Sequence, residues 1–120
     1  MRKKILLVDD DNIFRSTLGG SLTDNNFNVE VIDAKDPIDA IDKFHQFKDS
    51  LTHVVVDYYM PIENGLEFCK LVKSSNPDII VILFSGDTDL EKTIKTGFVD
   101  RFFRKDRPKQ LVNYLLDQES

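Results

Sequence analysis

Ile5-Leu6-Leu7-Val8 is an unbroken aliphatic run that stops abruptly at Asp9-Asp10-Asp11. A half-solvated strand would alternate apolar and polar positions, so a short continuous run predicts a strand buried on both faces of a parallel sheet. Working outward, comparable runs recur at 29–32, 54–56, 79–84 and, more weakly, at Phe102-Phe103. Between them lie amphipathic stretches with helix signals. Asp11 or Asn12 can cap a helix over about 13–25, and Asp36 can cap the next, with Pro37 in its first turn ahead of Ile38, Ala40, Ile41 and Phe44. Residues 65–74 and 88–96 are two further candidates, and Pro108 opens a last one through Leu111, Val112, Leu115 and Leu116. This β-α order, five times over, predicts an α/β fold: a five-stranded parallel sheet, doubly wound, with helices on both faces. Gly19-Gly20 interrupts the first helix at about 1 kcal/mol per glycine relative to alanine; close packing on the sheet is one reason that could call for them, and the sequence alone does not show it.

The 120 residues suit one domain, 1–120, and 41% hydrophobic with 31% charged content is that of an ordinary globular chain. A formal net charge of −5 argues against a nucleic-acid surface, which needs a basic footprint. Cys69 is the only cysteine, so no internal disulfide can form and a reducing compartment is expected. Met1-Arg2-Lys3-Lys4 precedes an apolar run too short for a signal peptide. No segment approaches the roughly 20 apolar residues of a membrane span. A cytoplasmic protein with no membrane contact is expected.

In an open α/β sheet, ligands bind beyond the carboxyl ends of the strands. The first strand ends in Asp9-Asp10-Asp11, the third in Asp57, the fourth in Ser85-Gly86, and the fifth leads to Lys105. Turn positions after strands are commonly Asp, Ser or Gly for local reasons, so no one of these residues carries weight alone, and Asp11 is better explained as a cap. Together they point further. Carboxylates crowded at one sheet edge repel unless a cation compensates. Oxygen ligands without nearby His or Cys suit Mg²⁺. A hydroxyl and a lysine on neighbouring strand ends then supply donors for a phosphoryl group.

This constellation resembles the receiver domain of two-component response regulators. The matching stretches are Ile5-Leu6-Leu7-Val8-Asp9-Asp10-Asp11, then Asp57-Tyr58-Tyr59-Met60-Pro61-Ile62-Glu63-Asn64-Gly65, then Leu83-Phe84-Ser85-Gly86, and more weakly Phe102-Phe103-Arg104-Lys105. The resemblance covers nearly the whole chain and implies a flavodoxin-like, CheY-like sheet in the order 2-1-3-4-5. It implies that Asp57 is the phosphoacceptor, forming an acyl phosphate. Asp10, Asp57 and the backbone carbonyl of Tyr59 would bind Mg²⁺, or Mn²⁺ in its place, while Asp9 would hold a metal-bound water. Ser85, beside Gly86, and Lys105 would take the phosphoryl oxygens, and Phe102 would turn inward behind Ser85, reshaping the surface around the last two helices. Tyr59 and Asp87 would tune hydrolysis of the acyl phosphate. The implied partner is a sensor histidine kinase or phosphotransfer protein. The implied molecule is a switch, not an enzyme, though one able to take phosphoryl groups from small donors and to lose them slowly.

Three departures from the family pattern stand out. Asp106 follows Lys105 where the family usually has proline, so the lysine loop need not take the family's course. The stretch from Ser85 to Lys105 is slightly short, which implies a trimmed fourth helix. Phe102 holds the switch position only if Lys105, and not Arg104, is the phosphate lysine.

Other residues are given plainer readings. His45 and His53 are expected at the surface, Cys69 as a small buried hydrophobe, and Tyr58 as a loop or packing residue. Arg101, Arg104, Lys105, Arg107 and Lys109 form a basic run. It reads as a solvated face, or as a docking surface for an acidic partner or for self-association. An aspartate-nucleophile phosphatase would use the same chemistry, but such enzymes resemble D-x-D-x-T, and Tyr58-Tyr59 follows Asp57 here. A flavin-binding module needs a Ser/Thr-rich phosphate loop where Asp9-Asp10-Asp11 would repel a phosphate. A degenerate receiver that binds partners without phosphorylation is disfavoured by the complete residue set. With no effector segment after the last helix, the chain reads as a stand-alone receiver or a piece of a larger regulator.

Overall fold

The computed structural model describes residues 2–24, 28–60, 65–86 and 97–117. In chain order these form β1 (Lys3–Val8), α1 (Asn12–Thr23), β2 (Val29–Ala34), α2 (Pro37–Phe47), β3 (His53–Asp57), α3 (Gly65–Ser75), β4 (Ile80–Ser85), β5 (Arg101–Arg104) and α4 (Pro108–Asp117). The helix expected over 88–96, the residue Asp87 and the segment Pro61-Ile62-Glu63-Asn64 lie outside the described residues.

All four strand pairings are parallel, and the sheet order is β2-β1-β3-β4-β5. The period-two alternation of the strands divides the core into two layers. Leu6, Val8, Val54, Val56, Val81 and Leu83 face α2 and α3, where Ala40, Phe44, Phe68, Cys69 and Val72 meet them. Ile5, Leu7, Val55, Ile82 and Phe84 face α1 and α4 through Leu18, Leu22, Leu111 and Leu115. The sheet is thus covered on both sides, as the continuous apolar runs require.

The helix starts follow local chemistry. The Asp11 side chain accepts from the amides of Ile13 and Phe14, and that of Asp36 accepts from Asp39 with Pro37 inside the first turn. Each cap satisfies amides that the helix itself leaves unpaired. Burial pushes the Cys69 thiol up to about 12, which fits a packing role.

One expectation fails, and one open question is answered. His53 is buried, not at the surface. It opens β3, the central strand, between Ile5 of β1 and Ile80 of β4, and its Nδ1 lies 2.7 Å from Thr52 Oγ1. Close packing does not explain Gly19-Gly20 either. A Cβ at Gly19 would sit at an ordinary 3.8 Å from Val31 Cγ1, and one at Gly20 would meet nothing within 4 Å. The burial of Leu18 and Leu22 holds α1 in spite of the glycines.

Candidate functional site

The sheet register brings four strand ends to one edge. Val8 pairs with Val56, Asp57 with Phe84, and Ser85 with Arg104. Asp9 therefore emerges beside Asp57, and Lys105 emerges beside Ser85, whose carbonyl accepts the Lys105 amide at 2.9 Å. Asp9, Asp57 and Ser85 are buried, and Asp10 is exposed.

Backbone amides orient the two buried carboxylates. Asp11 N–H donates to Asp9 Oδ1 at 3.0 Å, and Tyr59 N–H donates to Asp57 Oδ1 at 3.2 Å. The Arg15 guanidinium donates to the Asp9 carbonyl at 2.8 Å while reaching Asp33 and Asn12, which ties the end of β1 to α1 and β2. Across the gap, Lys105 Nζ lies 3.3 Å from Asp57 Oδ2 and 3.1 Å from Asp9 Oδ2. The contact with Asp9 Oδ2 has ion-pair distance without hydrogen-bond geometry, and this buried oxygen receives no hydrogen bond among the described residues.

A carboxylate oxygen from each of Asp9, Asp10 and Asp57 lies within 4.8 Å of the others. Three carboxylates facing one ammonium leave the cluster negative. Burial, then the charge of Asp9, pushes the Asp57 carboxyl up to about 6 against the pull of Lys105. Burial lowers Lys105, but Asp57 and Asp9 outweigh it, and the ammonium is held above its ordinary range. A converging all-oxygen set with one buried lone pair lacking a hydrogen bond fits a small, hard divalent cation.

The neighbouring residues sort as follows. Arg104 points away from the cluster and forms a two-armed pair with Asp106, at 3.0 and 2.8 Å. Lys105, not Arg104, thus reaches the carboxylates, and it does so with Asp106 in the position after it. Phe102 is half-buried against the α2–α3 layer. Tyr58 packs on the same layer, and Tyr59 meets it edge-on with ring centres 4.8 Å apart while remaining 55% exposed. Gly86 is exposed, and a side chain there would meet nothing within 4 Å. In the basic run, Arg101 lies over the Tyr114 ring at 4.6 Å and Arg104 is paired, while Arg107 and Lys109 are exposed. Two residues at the site escaped the sequence reading in this role. Phe14 of α1 and Phe84 of β4 stack beneath Lys105. No local pattern marks them, because 70 positions of chain separate two aromatics that only the fold brings together.

A family model for the response regulator receiver domain matches residues 5–116. Response regulator MprA from Mycobacterium sp. (strain KMS) is 36% identical over 93 residues, covering 77% of this chain and 39% of that protein. The chain therefore spans well under two thirds of that curated relative. Among solved structures, the chemotaxis response regulator CheY4 of Vibrio cholerae is similar at 26% identity with a TM-score of 0.82, covering 98% of each chain. A receiver domain protein from Clostridium thermocellum shares the fold at 23% identity and a TM-score of 0.82, covering 96% of this chain and 92% of that one. Among the described residues, no helix is long and apolar enough to cross a membrane.

Proposed function

Because the chain belongs to the response regulator receiver domain family, a phosphorylation switch of two-component signalling, we propose that Asp57 is the residue that takes up the phosphoryl group. Residues 1–120 act in this reading as one receiver domain, in the cytoplasm. The observation that carries it is the meeting of the Lys105 ammonium with two buried carboxylates, Asp57 and Asp9, at 3.3 and 3.1 Å, next to a third acid, Asp10. Asp9, Asp10, Asp57 and the Tyr59 carbonyl would hold Mg²⁺, or Mn²⁺ in its place. The bound cation supplies neutralisation of the phosphoryl charge.

The chain's own residues do the rest by position. A carboxylate oxygen of Asp57 bonds to phosphorus as the P–N bond of a phosphohistidine breaks, its electron pair leaving with the imidazole nitrogen. The acyl phosphate remains on Asp57. Lys105 exchanges its contact with the Asp57 carboxylate for one with a phosphoryl oxygen. Ser85 donates its hydroxyl to another, and exposed Gly86 leaves the approach open. Phe102 then fills the space behind Ser85 and carries the change to β5 and α4. The donor is a sensor histidine kinase or phosphotransfer protein, and small phosphodonors serve in its place. Arg107 and Lys109 are the part of the basic run offered to an acidic effector or to a second copy, since Arg101 and Arg104 are engaged within the fold.

Intact-mass measurement after incubation with acetyl phosphate tests the reading. One phosphoryl adduct is expected on the wild type with Mg²⁺, and none on Asp57→Asn or in EDTA. Equal adduct on both proteins, or an adduct formed in EDTA, would overturn it.

A further inference from the structure

We infer that Phe14 and Phe84 are positioning residues for Lys105, forming an aromatic bed that holds its ammonium at the phosphoryl site. The inference rests on the phosphoacceptor reading of Asp57. The two rings stack with centres 5.4 Å apart and planes 22° from parallel. Lys105 Nζ lies over the Phe14 ring at 4.8 Å from its centre and over Phe84 at 5.7 Å. The ammonium thus has both carboxylate oxygens and two aromatic rings close around it.

Lysine is a compact charge on a flexible stem, and nothing in its own geometry fixes where that charge stands. The carboxylates Asp9 and Asp57 attract it, but they are also the groups that a divalent cation and a phosphoryl group engage. The rings do not compete for either. They attract the ammonium through their negative faces, so they keep Lys105 near phosphorus while its carboxylate contacts are exchanged. Phe84 is buried at the end of β4, which fixes the inner half of the bed. Phe14 is half-buried on α1, just past the Asp11 cap, so it can be varied with less risk to the core.

Beryllofluoride serves as the phosphoryl mimic, titrated by calorimetry into Mg²⁺-loaded protein. Phe14→Leu keeps apolar bulk but removes the ring, and it should weaken beryllofluoride binding by about fivefold. Mg²⁺ affinity measured without beryllofluoride should stay unchanged. Phe14→Tyr should restore binding, and Phe14→Leu should have no further effect in a Lys105→Ala background. Should Phe14→Leu unfold the domain, site-specific trifluorophenylalanine at position 14 keeps the shape while withdrawing charge from the ring face, and the same weakening is expected. Unchanged beryllofluoride affinity in the leucine or fluorinated variant would overturn the inference. So would an equal loss with and without Lys105. Failure of the parent reading looks different: there the wild type itself would not bind beryllofluoride, or Asp57→Asn would bind it equally well.

Discussion

A Cβ on Gly65 would lie 2.3 Å from the carbonyl oxygen of Asp57 and 2.6 Å from Val56 Cγ1. The start of α3 is thus pressed against the end of β3, and Gly65 N–H donates to the Tyr58 carbonyl at 2.7 Å. Space, not backbone conformation, demands glycine here. The contact holds the start of α3 against the strand end that carries Asp57.

Gly65→Ala should therefore displace Asp57 as well as destabilise the fold. Overpacking of this kind costs roughly 2–3 kcal/mol, about 10 °C in Tm for a domain of this size. At a temperature where the variant is folded, phosphorylation by acetyl phosphate should be slower than in the wild type. An unchanged Tm would show that α3 can step back freely.

Stability of the metal-free protein should depend on pH through Asp57. Its folded pKa, about 6, exceeds the model-peptide value of 3.8. Between these values the folded state binds more protons than the unfolded state, so stability falls as pH rises through that window. Asp57→Asn removes the penalty. In EDTA it should be more stable than wild type at about pH 7.5 by up to about 2 kcal/mol once solvent screening is allowed for, with the gap closing toward about pH 4. Denaturant melts at both pH values check the sign; a gap that widens in acid would contradict it.

Millimolar Mg²⁺ should raise the Tm of the unphosphorylated protein, since it binds the native carboxylate cluster and not the unfolded chain. Asp10 is exposed, so Asp10→Ala should abolish most of this rise while leaving the melt in EDTA nearly unchanged. A wild-type melt that ignores Mg²⁺ would count against a metal site.

Lys105→Ala should leave an adduct at Asp57 but uncouple it from any change in β5 and α4, read by amide chemical shifts of 101–117. Arg104→Ala should not, because Arg104 pairs with Asp106 on the exposed side. Loss of that solvent-screened surface pair should leave the Tm nearly unchanged. The reverse pattern would take the switch role away from Phe102.

The acyl phosphate should be long-lived, with Tyr59 as the reason. Its ring is bulky, and its backbone amide donates to Asp57 Oδ1, so the residue stands next to the acceptor carboxylate in the chain. Tyr59→Asn should hydrolyse faster in a decay assay; an unchanged or slower rate would mean that the tyrosine is no lid. Asp87, the other expected tuning residue, lies outside the described residues.

The order of the strands and of the helices within the described residues was legible because it rests on short-range chemistry. Ile5-Leu6-Leu7-Val8 reads as a doubly buried strand because it is short, unbroken and ends on turn-forming acids, and Asp11 and Asp36 cap their helices through amides two or three residues away. The acids at the ends of β1 and β3 were legible for the same reason, as breaks in apolar runs. Burial of His53 was not, because it depends on which strands flank β3, and those lie far away in sequence. The resemblance pointed to Lys105, but its meeting with Asp9 and Asp57 across 96 and 48 residues exists only once β5 is laid beside β4. Gly65 closed a stretch that the resemblance rested on, but the reason it must be glycine, like the ring bed of Phe14 and Phe84, belongs to the tertiary structure alone. A steric limit or a cation over a ring is a relation between atoms in space, and local sequence carries no trace of it.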